Sequence, residues 1–129
     1  MSPIRHVAGL LATLPLLAAL TGYVHAQEYA PIMPLAARSA LLDICAAGDR
    51  VVVAGEYGNV LFSDDTGGDW RQAAVPTTQM LTGIFFRDRL HGWAVGHDGL
   101  ILASPDGGEN WHIQRDGLAV QHQLNLEVR

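Results

Sequence analysis

A 41-residue internal repeat, four short apolar strands in each period and Gly/Asp turns between them predict an all-β chain. The fold class is two four-stranded antiparallel β-propeller blades, an incomplete propeller. Sliding the sequence by 41 residues lays it on itself without a gap. Gly55 meets Gly96, Gly58 meets Gly99 and Leu61 meets Leu102, while Ser63, Asp65, Gly67 and Trp70 meet Ser104, Asp106, Gly108 and Trp111. Pairs matched in character include Ile44 with Phe85, Cys45 with Phe86, Val53 with Ala94 and Val60 with Ile101. A period of about 40–45 residues with four strands is the size of one blade, and no helical period runs through it.

Taken in order, residues 1–26 read as a secretory signal peptide. Arg5 and His6 precede an apolar run from Val7 to Leu20, and Val24 and Ala26 stand at the −3 and −1 places of a cleavage site. That run has 14 residues, short of the roughly 20 a helix needs to span a bilayer. No stable membrane span is therefore expected after cleavage, and an exported, periplasmic or secreted, location is. Gln27 rather than Cys at the new terminus gives no sign of lipid attachment.

Residues 27–39 form an N-terminal segment in which Tyr29–Pro34 is expected as a closing strand. Blade 1 is residues 40–76, with strands at Leu41–Ala46, Arg50–Ala54, Val60–Ser63 and from Trp70. Blade 2 is residues 77–117, with strands at Leu81–Phe86, Gly92–Val95, Leu100–Ser104 and Trp111–Gln114. Gly55, Gly58, Gly96 and Gly99 punctuate the turns, and His97-Asp98-Gly99 reads as a tight hairpin in which glycine takes positive φ. The strand at Leu41–Ala46 reads as buried, with Cys45 as a small apolar filler. Residues 118–129 form a tail that stops resembling the opening of another blade and is read as a truncated third one. A closed ring needs about four to eight blades, and the next tryptophan of the series would fall beyond Arg129. A truncated or frameshifted ring is expected ahead of assembly from several copies, because open blade edges promote aggregation.

Between the third and fourth strands of each blade stands Ser-x-Asp-x-Gly-x-x-Trp: Ser63, Asp65, Gly67 and Trp70, then Ser104, Asp106, Gly108 and Trp111. The carboxylate is suited to accept loop amides, the glycine to a left-handed backbone, and the indole to packing as core beneath the loop. The pattern resembles the Asp-box, or BNR repeat, of sialidases and related propellers, where it is structural. Leu81–Phe86, then His91-Gly92-Trp93-Ala94-Val95-Gly96-His97-Asp98-Gly99, then the second box, resembles the photosystem II stability/assembly factor family. The resemblance covers Leu41 to Gln114. It implies a propeller scaffold for protein partners such as membrane-protein assembly intermediates, with no catalytic residue, metal or cofactor.

Composition agrees with a folded chain, at 49% hydrophobic and 16% charged residues. A net charge of −5 with scattered arginines gives no footprint for nucleic acid. Cys45, the lone cysteine, has no partner for an intramolecular disulfide. His91, His97 and Asp98 are better explained as turn residues than as metal ligands. The acidic loop at Asp64, Asp65 and Asp69 lacks the calcium-loop spacing, since Pro76 stands where the distal glutamate would. The enzymatic rival is a sialidase-like glycoside hydrolase. It would need an arginine cluster, a tyrosine nucleophile with a glutamate, and an acid, whereas the mature chain offers only Tyr29 and Tyr57.

Overall fold

The computed structural model describes residues 27–127, so the expected signal segment at 1–26 lies outside the described residues. Eight strands form two separate four-stranded antiparallel sheets. Blade 1 holds β1 (Leu41–Ala47), β2 (Arg50–Gly55), β3 (Val60–Ser63) and β4 (Arg71–Gln72). Blade 2 holds β5 (Leu81–Phe86), β6 (Gly92–Gly96), β7 (Ile101–Ser104) and β8 (His112–Arg115). Strand order in each sheet is the chain order, as in a meander of hairpins.

Strand alternation divides each sheet into two apolar faces. Val52, Ala54, Val60 and Phe62 of blade 1 meet Ile84, Phe86, Ala94, Leu102 and Trp111 of blade 2 in the main core. The opposite face of blade 1, Val53 and Leu61, is covered by Met33 and Ala36 of the N-terminal segment. Residues 27–35 make no strand there. They are held by the Ala30 N–H on the Val75 carbonyl (2.8 Å), and by Gln72, which accepts the Met33 N–H (2.9 Å) and donates to the Pro31 carbonyl (2.8 Å).

Three expectations change. First, β1 is not buried: Leu42 is 47% and Ile44 64% exposed, because among the described residues no blade covers this side of the strand. Cys45 is half-buried, and its Sγ accepts the Phe86 N–H at 3.3 Å. Second, the repeat is not gap-free in space. Ile44 pairs with Val53 as Ile84 pairs with Ala94, and Leu41 with Gly55 as Leu81 with Gly96. Ile44 therefore answers to Ile84, and Cys45 to Phe85. The hairpin at 87–91 carries one residue more than that at 47–50, and the offset is lost in the loop. Third, the tail, expected as a truncated third blade, is from Gly117 a helix, α1 (Gly117–Glu127). Asp116 caps it, its Oδ1 accepting the Leu118 N–H at 3.0 Å. Leu118, Val120, Leu124 and Leu126 are all exposed and trace no single stripe, so the pattern carried no helical period.

The turn glycines sit where chain crosses chain. A Cβ on Gly55 would overlap the Ala40 carbonyl oxygen, and one on Gly96 would lie 2.7 Å from the Met80 carbonyl oxygen. Both hairpins between the second and third strands take two successive positive φ values: Tyr57 (56°) with Gly58 (71°), and Asp98 (56°) with Gly99 (72°). Aspartate tolerates this region and tyrosine does not. Tyr57 is 60% exposed, so it has little packing to lose. Tyr57→Asn is expected to stabilise the chain by roughly 0.5–1 kcal/mol, read as a higher urea midpoint at unchanged slope.

Candidate functional site

The two Ser-x-Asp-x-Gly-x-x-Trp loops close the same circuit of hydrogen bonds. Ser63 Oγ donates to Asp65 Oδ1 at 2.7 Å and accepts the Gly67 N–H at 2.9 Å. Ser104 Oγ donates to Asp106 Oδ1 at 3.0 Å and accepts the Gly108 N–H at 2.9 Å. Asp65 then accepts the Asp69 N–H (2.8 Å), and Asp106 accepts both the Asn110 N–H (2.9 Å) and its side-chain amide (2.7 Å). Gly67 and Gly108 hold φ of 95° and 90°, which turns their carbonyls back toward the indoles. Trp70 Nε1 donates to the Gly67 carbonyl at 3.1 Å and Trp111 Nε1 to the Gly108 carbonyl at 2.9 Å. This return bond gives the tryptophan a polar task beyond packing.

The two indoles differ in burial. Trp111 is 4% exposed and meets Phe86 edge to face, with ring centres 5.9 Å apart. Trp70 is only half-buried, against Met33 and Ala36. The expectation that both lie in the core is corrected for Trp70, whose neighbour is a strandless segment rather than a blade.

An ionic latch joins the boxes. Arg50 Nε meets Asp64 Oδ1 at 2.7 Å, its Nη2 meets Glu109 Oε1 at 3.0 Å, and its Nη1 donates to the Gly107 carbonyl at 3.3 Å. Arg71 reaches Asp64 Oδ2 at 2.9 Å. Both guanidinium groups lie over the Phe62 ring, 4.5 and 4.6 Å from its centre. Hydrogen bonding to Asp64 raises the pKa of Arg50, against the lowering effect of its burial. The same bond holds the Asp64 carboxyl below the usual range. At the inner strands Asp43 Oδ2 accepts the Ile84 N–H at 2.8 Å, so a side chain of β1 satisfies a backbone amide of β5.

The arrangement is fixed and internally satisfied. The cleft beside the latch, lined by Arg50, Asp64, Arg89 and Asp106, encloses about 180 Å³, below the roughly 300–1,000 Å³ of ordinary ligand pockets. His91 lies at one end of β6, its Nδ1 3.0 Å from Asp88, while His97 and Asp98 lie at the other end. Among the described residues no group of three or more His, Cys, Asp or Glu is placed to hold a metal. Tyr29 and Tyr57 are both exposed, the first on the N-terminal segment and the second on a hairpin.

Residues 63–129, from the first box onward, match the family model described as photosynthesis system II assembly factor YCF48. The chain belongs to this family. The photosystem II stability/assembly factor HCF136, chloroplastic, of Cyanidioschyzon merolae is 47% identical over 47 residues, 35% of this chain and 11% of that protein. The photosystem II assembly protein Ycf48 of a Synechococcus strain is 40% identical over 48 residues, 36% of this chain and 14% of the relative. The Ycf48 of Thermosynechococcus vestitus is 38% identical over 42 residues, 33% of this chain and 12% of the relative. The matched stretch thus spans about an eighth of each relative's length.

For this family member the box carboxylates make acid stability legible. Asp65 is held below the usual carboxylate range chiefly by the Asp69 N–H, then by Ser63. For Asp106 burial pushes upward, but the Asn110 side chain and backbone and Ser104 outweigh it and the net shift is down. A lowered folded pKa stabilises the fold above the unfolded value, about 3.9, and that stability is lost as pH falls through the folded pKa. Asp106→Asn is expected to lower the melting temperature at neutral pH and to flatten its decline between about pH 4 and pH 2. Parallel declines in both proteins would contradict the assignment.

Of Arg50, Asp64, Glu109 and Asp43, the sequence singles out only Asp64, and that as part of an acidic loop weighed for calcium. Their repeat counterparts are His91, Pro105, Gly68 and Gly83, so a search for what the two periods share passes over them. The available signal was the opposite one, charged residues present in only one of two otherwise matching loops.

Proposed function

We propose that the chain is a non-catalytic, exported scaffold that acts by holding protein partners during assembly of a membrane-protein complex, photosystem II in hosts that contain it. Membership of the assembly-factor family carries this reading. The geometry supports it: Ser63, Asp65, Ser104, Asp106 and Arg50 are all engaged in fixing loops to one another. A rigid surface, rather than a poised nucleophile and base, is what such a network supplies. Export rests on the signal pattern at 1–26, and no described helix is long and apolar enough to cross a membrane. Residues 40–76 and 77–117 act in this reading as two blades of a larger ring.

The test is affinity isolation of the tagged chain from host membranes. Assembly intermediates of the complex are expected to accompany it, and a strain lacking the gene should accumulate the complex more slowly. Normal accumulation in that strain, or sialoside turnover by the purified chain, would overturn the reading.

A further inference from the structure

A groove of about 400 Å³ lies at the end of the blades opposite the boxes, over the link that joins them. Its walls include Gln27 and Glu28 of the N-terminal segment, Thr77 and Gln79 of the link, and Leu100 and Asp116 of blade 2. Two carboxylates line it and no arginine does. Thr77, 8% exposed, accepts the Gln79 N–H on its Oγ1 at 3.1 Å and so fixes that residue's backbone. Gln79 Oε1 is buried and accepts a hydrogen bond from no described residue. Asp116 engages Oδ1 with the Leu118 and Ala119 N–H groups, at 3.0 and 3.4 Å, while its Oδ2 takes no hydrogen bond among the described residues. Spare acceptors and negative charge suit an ammonium group, which brings three N–H donors and a positive charge.

We propose that this groove is a binding site for a primary ammonium group, and that its ligand is the α-ammonium of Gln27 created when the signal is removed. The inference rests on the export reading above, with cleavage between Ala26 and Gln27. Hydrolysis of that bond consumes one water, leaves a carboxylate on Ala26 and gives Gln27 an α-amino group, protonated below about pH 8. In the uncleaved chain the same nitrogen is a neutral amide with a single N–H. Placement is covalent: Gln27 already lines the groove, and three residues on, the Ala30 N–H is fixed to the Val75 carbonyl at 2.8 Å. A group tethered in this way has an effective concentration on the order of millimolar, whatever surrounds the protein. The sequence contains no lysine, so a chain begun at Gln27 carries this primary amine alone.

The charged and titratable groups around the site are Glu28 beside the terminus, Asp116 with Arg115 at the end of blade 2, and Glu56, Tyr57, His97 and Asp98 on the two hairpins at this end. Carboxylates predominate, so the field favours the protonated amine and raises its pKa in the folded chain. A raised folded pKa stabilises the fold below the unfolded value, about 7.7–8.0, and that stability is lost as pH rises through the folded one. What the contact holds is the segment that brings Met33 and Ala36 against Val53, Leu61 and Trp70 of blade 1. Removal of the signal thereby tightens the cover of blade 1.

The test compares the chain begun at Gln27 with the same chain acetylated at its amine, a modification that meets no lysine elsewhere. Intact mass confirms that Gln27 has not cyclised with loss of ammonia, which removes the amine. The free form is expected to melt a few degrees higher at about pH 6.5, and the gap to close above about pH 9.5. At about pH 7.5 the folded chain's amine should acylate at roughly a tenth to a fifth of the unfolded chain's rate, since one pKa step is tenfold. Asp116→Asn and Gln79→Leu should each raise that rate and shrink the melting gap. Each variant is read against its own acetylated form, so loss of the α1 cap or of packing cancels. Equal melting of the free and acetylated chains at about pH 6.5, or a gap undiminished in both variants, would overturn the docking and leave the groove to a basic side chain of a partner. Cleavage is checked separately by the mass of the exported chain: a terminus other than Gln27 overturns the cleavage reading, whatever the melting shows.

Discussion

Trp111→Ala is expected to cost about 3–5 kcal/mol in unfolding free energy, and Trp70→Ala about 1–2 kcal/mol, although the two occupy the same place in the repeat. The difference follows from what lies against each ring. Trp111 is 4% exposed, packs edge to face on Phe86 and closes its own loop through the Gly108 carbonyl at 2.9 Å. Its backbone is tied to blade 1 as well, the Trp111 N–H donating to the Ala74 carbonyl at 3.1 Å. Truncation would open a cavity between two sheets that cannot collapse independently. Trp70 faces Met33 and Ala36 of a strandless segment, which can settle into the space. Equilibrium urea unfolding followed by far-UV circular dichroism gives the comparison without relying on tryptophan emission. Equal losses would mean that the covering segment is as tightly packed as a blade. Trp111→Phe separates the two roles of the ring: it keeps the apolar contact and leaves the buried Gly108 carbonyl unmet, for a loss of about 1–3 kcal/mol.

The repeat made the architecture legible because the residues it shares are those every blade needs. Ser63, Asp65, Gly67 and Trp70 recur as Ser104, Asp106, Gly108 and Trp111 since each loop must satisfy its own amides, whatever lies beside it. Strand positions were readable for the same reason: β3 and β5 keep the expected bounds, and the other strands shift by a residue or so. The first strand was misread for a reason of chain geometry. An additional residue in the hairpin at 87–91 changes which face Phe85 takes relative to Ile44, and a one-residue slip reverses every side chain of a strand. The ungapped alignment held the glycine and tryptophan positions while misplacing β1.

Contacts between blades were the illegible part. A blade's own circuit is encoded within one short loop, Ser63 to Trp70 or Ser104 to Trp111, but Arg50 reaches Glu109 and Gly107, and Asp43 reaches Ile84, across the whole period. Such contacts depend on which face each sheet turns to its neighbour. They are also asymmetric, since a donor on one blade needs an acceptor on the next and not a copy of itself. Arg50 opposite His91, and Asp64 opposite Pro105, are what asymmetry looks like in a repeat. Blade-on-blade specificity in this chain is written in its mismatches, and loop closure in its matches.

Gly58→Ala is expected to cost about 3–5 kcal/mol, and Gly99→Ala, at the corresponding turn, only about 1–2 kcal/mol. Both glycines hold left-handed backbone, at φ 71° and 72°, so both substitutions incur that strain. They part at the chain crossing above them. A Cβ on Gly58 would overlap the Thr77 carbonyl oxygen and lie 3.3 Å from the Ala30 Cβ, whereas on Gly99 it would lie 3.2 Å from the Gly117 Cα. Thr77 belongs to the link between the blades, and Ala30 is bonded to the same stretch through Val75 at 2.8 Å. Neither can retreat without moving blade 2 or the N-terminal segment. Gly117 starts a helix whose described side chains are all exposed or half-buried, so it can give way by a few tenths of an ångström. Denaturant unfolding measures the two losses, and amide hydrogen exchange locates them. Faster exchange at Ala30 is expected in Gly58→Ala and not in Gly99→Ala. If both variants lost the same stability with Ala30 protected, the cost would lie in backbone strain alone, and the crossing of Thr77 over the hairpin would not be what fixes one blade against the next.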